Sequence, residues 1–371
     1  MNRPVHGGNL AWAAALAGCP PAAILDFSAS INPLGPPESA IAAIQAHLSE
    51  LTAYPDPDYG QLRAILSQVH HLPVDWLLPG NGSAELLTWA GWDLSKLEVT
   101  GLVTPAFSDY SRALKAFNSS MLECPFDNFG LPILDVGLAL GTLTSKISPQ
   151  HSGLLINNPH NPTGQLFSRA SILPYLEQFA LVVVDEAFMD FLPPEQQQSL
   201  SEVVQDYPNL VILRSLTKFY SLPGLRLGYA IAHPDRLRRW QQWRDPWPVN
   251  VLAAGAAAAV MQDVTFQEQT WAWLPPARSQ LYEGLAQLPG LQPYQGAANF
   301  LLVKSEQSSV ELQKRLLLRH QILIRDCLSF PELGDRYFRV AVRSEADNQR
   351  LIAGLAEILS EGAGELSRST N

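Results

Sequence analysis

Four short apolar runs, each ended by residues equipped for chemistry, constrain this chain more than any other feature. They are Leu97 to Val103, Gly153 to Ile156, Leu181 to Val184 and Val211 to Leu213. The residues that follow are Thr104-Pro105-Ala106-Phe107, Asn157-Asn158-Pro159-His160-Asn161-Pro162, Asp185-Glu186-Ala187 and Arg214-Ser215-Leu216-Thr217-Lys218. Short apolar runs alternating with amphipathic stretches are the pattern of a mostly parallel sheet covered by helices. Ligands of open α/β sheets collect at the carboxyl ends of the strands. Four such ends therefore predict one shared site.

The rest of the chain sets the frame for that sheet. A chain of 371 residues, 47% of them hydrophobic, is long enough for a large domain and a smaller one. After Gly35-Pro36-Pro37, the spacing of Ile41, Ile44, Leu48 and Leu51 predicts the first long helix, Pro37 standing where a missing N–H costs little. From about Pro246 the pattern changes to helices with a few alternating strands such as Tyr337 to Val342. The expected organisation is α/β, with residues 1–35 as an N-terminal arm and part of the small domain, 36–245 as the large domain and 246–371 as a small α+β domain.

Several functions are disfavoured by composition. The formal charge is −10 and no long basic run occurs, which argues against nucleic acid or an anionic membrane as a partner. Cys19, Cys124 and Cys327 are odd in number and far apart, so neither a disulfide framework nor a zinc site is expected, and a reducing cytoplasm is the default location. Leu16-Ala17-Gly18-Cys19 looks like a lipoprotein cleavage box, but the apolar stretch from Leu10 is short and only Arg3 precedes it as a cation. It reads as an amphipathic helix. Val251 to Met261 is too short to span a bilayer and reads as a close-packed buried helix.

Ser215-Leu216-Thr217-Lys218 followed by Gly224-Leu225-Arg226-Leu227-Gly228 is the most specific signal. A lysine amine can form a Schiff base with an aldehyde cofactor, and a nearby serine and arginine can hold a phosphate dianion. Asp185, thirty-three residues before the lysine, can pair with a ring nitrogen of such a cofactor and keep it protonated. Alone, Lys218 would read as a solvated side chain and Asp185 as a helix cap; neither bland reading covers both. Pro79-Gly80-Asn81-Gly82-Ser83-Ala84-Glu85 opens a helical pattern whose first N–H groups form a second half of a phosphate cup. Phe107 is a candidate to stack on the ring and Asn161 to hydrogen-bond its phenolic oxygen.

These motifs resemble the fold-type I pyridoxal 5′-phosphate (PLP) enzymes of the aminotransferase class I and II family, over nearly the whole chain. The resemblance implies Lys218 as the Schiff-base lysine, Asp185 on the pyridine nitrogen, Asn161 on the phenolic oxygen, Phe107 on the ring face, and Gly82, Ser83, Ala84, Ser215 and Arg226 around the phosphate. It also implies a homodimer with sites at the subunit interface, Tyr54 being lent to the neighbouring subunit's cofactor phosphate. Phe188 stands where family members often have Tyr, which removes one hydrogen bond to the phenolic oxygen. A PLP-sensing transcription regulator on the same fold is a further possibility, disfavoured because a winged-helix segment would have to precede His6.

Four stretches narrow the resemblance: His6-Gly7-Gly8-Asn9, Asp26 to Gly35, Arg214 to Tyr220, and Ile322 to Cys327 with Tyr337 to Arg343. They point to decarboxylases of an O-phosphorylated amino acid, with aminotransferases of histidinol phosphate as the near alternative. Ser30 is a departure, since Asn is expected there. The substrate ligands expected are His6, Gly7, Asn32, Asn161, Arg325 and Arg339. Arg325 and Arg339 can grip a phosphate or a carboxylate bidentately, and His6 with the N–H groups of Gly7 and Gly8 offers a flexible anion-binding turn.

Overall fold

A computed structural model describes residues 3–126, 133–141, 143 and 146–368. Its main sheet has seven strands, in the spatial order Leu77–Asn81, Leu227–Ala232, Leu210–Ser215, Leu181–Asp185, Gly153–Asn157, Thr100–Thr104 and Met121–Pro125. All neighbours are parallel except Leu227–Ala232, which runs antiparallel to the strands on either side. Val182, Val183 and Val184 are fully buried, as a strand covered on both faces requires. Each such side chain contributes about 1.5–3 kcal/mol by leaving water. The first expected strand begins three residues late, at Thr100, because Leu97 still closes a turn on Leu94.

A second, antiparallel sheet has the order Leu291–Pro293, Phe300–Ser305, Tyr337–Ala341 and Arg325–Asp326. Leu25–Asp26 pairs in parallel with Ile322–Leu323 beside it, so the N-terminal segment is built into the C-terminal part of the chain. The helix Glu38–Ala46 starts directly after Pro37. It packs on the helix Val251–Val260, whose Ala253, Ala256 and Ala257 are fully buried, the small side chains allowing the close approach. The stretch Leu10–Ala17 is a helix capped by Asn9 Oδ1 on the Trp12 N–H (3.0 Å) and ended by Gly18 at φ 67°. Its Ala13 and Ala14 pack with Leu317 and Leu323. The three cysteines are free, and no described helix is long and apolar enough to cross a membrane.

Candidate active site

The expected strand ends converge. Asp185 closes its strand opposite Leu213 of the neighbouring strand, and the Glu186 N–H continues the ladder to Leu213 O (2.8 Å). Behind this junction Arg214 is buried between Glu186 Oε2 (2.7 Å) and Asp190, which locks the two strand ends together. Lys218 and Asp185 thereby line one cavity of about 220 Å³, with Phe107, Asn161 and Phe188 also in its wall. The Lys218 amine nitrogen lies 4.9 Å from the Phe188 ring centroid.

Burial dominates the ionisation of this pair. It pushes the Lys218 amine below the ordinary lysine range, with Asp185 opposing and Arg339 and Arg226 reinforcing the shift. It pushes the Asp185 carboxyl up, against the pull of Lys218, Tyr110 and the Ala187 N–H. A neutral amine is the nucleophile that condensation with an aldehyde needs. Tyr110 donates to Asp185 Oδ2 (2.8 Å) and Ala187 N–H to Oδ1 (3.0 Å), so the carboxylate is held from two sides.

The phosphate cup is formed by packing that glycine alone permits. The helix Gly82–Leu94 begins at Gly82 with φ 74°, and a Cβ there would meet Arg226 Nη2 at 2.6 Å. Gly228 is equally constrained: a Cβ on it would come within 2.5 Å of the Ser83 nitrogen. The G-L-R-L-G segment therefore lies directly against the helix start, where free N–H groups and the helix dipole favour an anion. Ser83 and Ala84 line the cavity, and Ser215, buried on the adjacent strand end, hydrogen-bonds Thr217 Oγ1 (2.8 Å). A lysine, a carboxylate and an anion cradle at these places fit PLP.

Arg325 and Arg339 face each other as a cross-strand pair, and both line the cavity. Like charges directly opposite on adjacent strands repel. Burial first, and then Arg325, brings the Arg339 guanidinium down to about 10. Arg339 bonds Asn161 Oδ1 and approaches Ser28 O (3.5 Å); Arg325 holds Val5 O and Ser329 Oγ (2.6 Å). The arm is fastened by these contacts and by Arg3 on Asp326 (3.1 Å). His6 and Gly7 thus line the cavity, His6 tilted over Phe107 with centroids 5.6 Å apart.

Two expectations are corrected. Asn32 does not line the cavity: it is buried, its amide donates to Phe219 O (2.8 Å) and Thr270 Oγ1 (2.9 Å), and its Oδ1 accepts from Leu34 N–H (3.0 Å). It serves as a clip on the segment after Lys218. The Gly8 N–H is not free for an anion, because it donates to Ser28 Oγ (2.8 Å). Gly7 is instead pressed on Ser28, where an added Cβ would lie 2.2 Å from Ser28 O. Tyr54, expected to serve the neighbouring subunit, is 78% exposed and stacks on Trp247 (centroids 4.3 Å apart), outside the cavity of its own chain, so its expected role is not at odds with its place here.

Two site residues were missed by the sequence reading. Tyr110 follows Phe107 by three residues, one turn into the helix Ser108–Lys115, so helical spacing could have found it. Asn157 donates from its amide to Asp185 O (2.8 Å) and accepts from the Asn161 N–H (2.6 Å), tying the two together.

His160, in the turn that presents Asn161, is 1% exposed and packs against Phe126 and Phe167, with Nδ1 near Thr163 Oγ1 (2.8 Å). Burial lowers its pKa to about 3 from an ordinary 6.5. The unfolded chain therefore binds a proton first as pH falls. Stability from this residue is complete above 6.5 and is lost between 6.5 and about 3, at up to about 1.4 kcal/mol per pH unit. Urea titrations across that range should show the slope in the native chain and a shallower one in His160→Asn.

A parallel sheet with a lysine and a carboxylate at neighbouring strand ends, and a helix start beside them for a phosphate, defines a PLP-enzyme architecture. The chain belongs to the aminotransferase class I and II family, whose model matches residues 22–355. It is 40% identical, over 96% of both chains, to the threonine-phosphate decarboxylase of Salmonella typhimurium. It is 34% identical, over 89% of both, to the histidinol-phosphate aminotransferase of Symbiobacterium thermophilum. Among solved structures it is similar to the histidinol-phosphate aminotransferase of Clostridium acetobutylicum, at 27% identity and a TM-score of 0.83, covering 91% of this chain and 100% of the other.

Proposed function

We propose that this protein decarboxylates L-threonine O-3-phosphate to (R)-1-amino-2-propanol O-2-phosphate, with PLP as cofactor, as a step of cobalamin biosynthesis. The observation that carries the reading is the cross-strand pair Arg325 and Arg339 at the cavity that holds Lys218 and Asp185. Two adjacent guanidiniums suit a substrate with two anionic groups, and the relative in Salmonella typhimurium bears the name of this reaction.

Lys218 would hold the cofactor through Nζ, Asp185 would face its pyridine nitrogen, Phe107 its ring and Asn161 its phenolic oxygen. The Gly82–Ala84 helix start, Ser215 and Arg226 would take its phosphate. When bound, PLP supplies an electron sink for the pair left on Cα. Arg339 acts electrostatically on Lys218 and takes the carboxylate next to the reacting carbon; Arg325, fastened to the arm near His6 and Gly7, takes the phosphate. Gripping both anions fixes rotation about Cα and sets which bond is aligned to break. With the carboxylate aligned, the C–C bond breaks and CO₂ leaves; Lys218 Nζ, freed when the substrate amine takes its place and carrying the proton that amine gave up, would deliver that proton to Cα. In the cytoplasm the protein is a homodimer, its exposed Tyr54 reaching the neighbouring subunit's cofactor phosphate.

The histidinol-phosphate aminotransferase of Symbiobacterium thermophilum favours a second reading, in which the same residues remove Cα–H instead. Incubation of the PLP-loaded protein with O-phospho-L-threonine separates the two. One CO₂ should appear per amine product with no keto acid added. Product formation only with 2-oxoglutarate would sink the decarboxylase reading.

A further inference from the structure

We infer that a second cavity, which shares no wall residue with that of Lys218, binds a small molecule with an apolar body and a single carboxylate, the carboxylate resting on Arg278. The cavity measures about 600 Å³, a size usual for small-molecule sites. Four separate segments wall it. Leu166 comes from the short strand Leu166–Phe167 and Leu192 from the stretch after Asp185; Arg278 and Tyr282 stand one turn apart on the helix Val264–Ala286, and Leu301 lies on the strand Phe300–Ser305. Leu166, Leu192 and Ala297 are buried together as one apolar cluster and form its floor.

Arg278 lacks the partner that a buried cation needs. It is half-buried, and burial alone pushes its guanidinium below the ordinary arginine range. Nη1 donates to Ala297 O (3.0 Å) and Ala298 O (3.2 Å), which fixes the guanidinium plane. Its Nε and Nη2 have no partner among the described residues, and neither is sealed from solvent. Other buried arginines of the chain have carboxylates: Arg214 has Glu186 (2.7 Å), Arg236 has Asp93 (2.5 Å), Arg244 has Glu85 (3.8 Å) and Arg325 has Asp326 (3.8 Å). Arg339, whose partner is the Asn161 amide, is an exception, and it walls the catalytic cavity. Arg278 repeats that state beside a cavity of its own.

The free edge of the guanidinium selects the ligand. Nε–H and an Nη2–H lie parallel, the fork that takes both oxygens of one carboxylate. Glu195 and Glu283 are exposed on the rim, and two carboxylates there repel a dianion more than a monoanion, which disfavours a phosphate. Leu166, Leu192, Leu301 and the Tyr282 ring leave an apolar body as the remainder of the ligand.

The probe is 4-phenylbutyrate, titrated calorimetrically into the PLP-loaded protein. It should bind with a Kd of about 1 mM or below and raise the melting temperature. Arg278→Leu should weaken it by at least about tenfold, the worth of a charge-assisted hydrogen bond. Ser279→Trp, at an exposed position on the same wall, fills the cavity with Arg278 intact and should weaken it as much. The uncharged 4-phenylbutan-1-ol should bind wild type at least about tenfold more weakly than the acid. Inorganic phosphate should bind wild type and Arg278→Leu alike.

No binding of 4-phenylbutyrate at roughly 10 mM overturns the inference. Binding that Ser279→Trp leaves unchanged puts the acid elsewhere, the catalytic arginines included, and also overturns it. Equal binding of the alcohol removes the role given to Arg278, and a loss of phosphate binding in Arg278→Leu refutes the choice of a monoanion. Arg278→Leu gives up the hold on Ala297 and Ala298, so if it fails to fold, Ser279→Trp and the alcohol decide the matter.

Discussion

Lys218→Ala is expected to reduce turnover of O-phospho-L-threonine by at least ~10⁴-fold, because it removes both the covalent hold on the cofactor and the proton donor to Cα. Folding should not suffer. The wild-type amine is buried beside two guanidiniums, Arg339 and Arg226, that disfavour its charge. Burial is the larger cause and Asp185 pulls the other way, so the melting temperature of the cofactor-free variant should stay close to that of the cofactor-free wild type. The cofactor supplies an independent readout. Borohydride treatment followed by peptide mapping should label the wild type at Lys218 and leave the variant unlabelled. Labelling of another lysine would refute the assignment.

Asp185→Asn is the second large effect, with kcat lower by ~10²–10³-fold, the range seen when one preorganised charge partner is lost from a site. The substitution is nearly isosteric, and the amide oxygen it introduces can still accept from the Ala187 N–H. An amide cannot keep a ring nitrogen protonated, so the electron sink weakens. Stability should move the other way, or not at all. Burial already pushes the Asp185 carboxyl up, which means that its charged form is poorly accommodated before cofactor binds. Cofactor-free Asp185→Asn is therefore expected to melt no lower than wild type, and a variant that lost activity by unfolding would fail this check.

Much of the site was legible because it is local in sequence. Asp185 and Lys218 each follow a run of apolar residues, and such runs become adjacent strands by burial alone. The glycines at 82 and 228 belong to the two motifs read as a phosphate cup, and the structure shows that a Cβ at either would collide, with Arg226 or with Ser83. What stayed hidden depends on contacts between distant segments. The facing of Arg325 and Arg339 follows from the register of two strands, and no spacing rule states it. Asn32 has the chemistry of a ligand, but Phe219 and Thr270 claim its amide, and their approach could not be read from residues 26–35. Gly8 likewise loses its free N–H to Ser28, a neighbour only after Leu25–Asp26 joins the C-terminal strands.

The Asn32 clip also decides which part of the entrance can behave as a door. Through Asn32 N–H on Lys218 O, its amide on Phe219 O, and Ser221 Oγ on Asn32 O, the Ile31 to Pro33 stretch is bolted to the loop that carries the reactive amine. That stretch is door frame. Only the leading residues from Arg3 to Gly8 are held by a few separable latches, Arg3 on Asp326, Val5 on Arg325 and Gly8 on Ser28. One of those latches is the guanidinium assigned to the substrate phosphate. In the proposed reading, the guanidinium that meets the substrate phosphate is also the one that fastens Val5, so the arm and the substrate share an anchor.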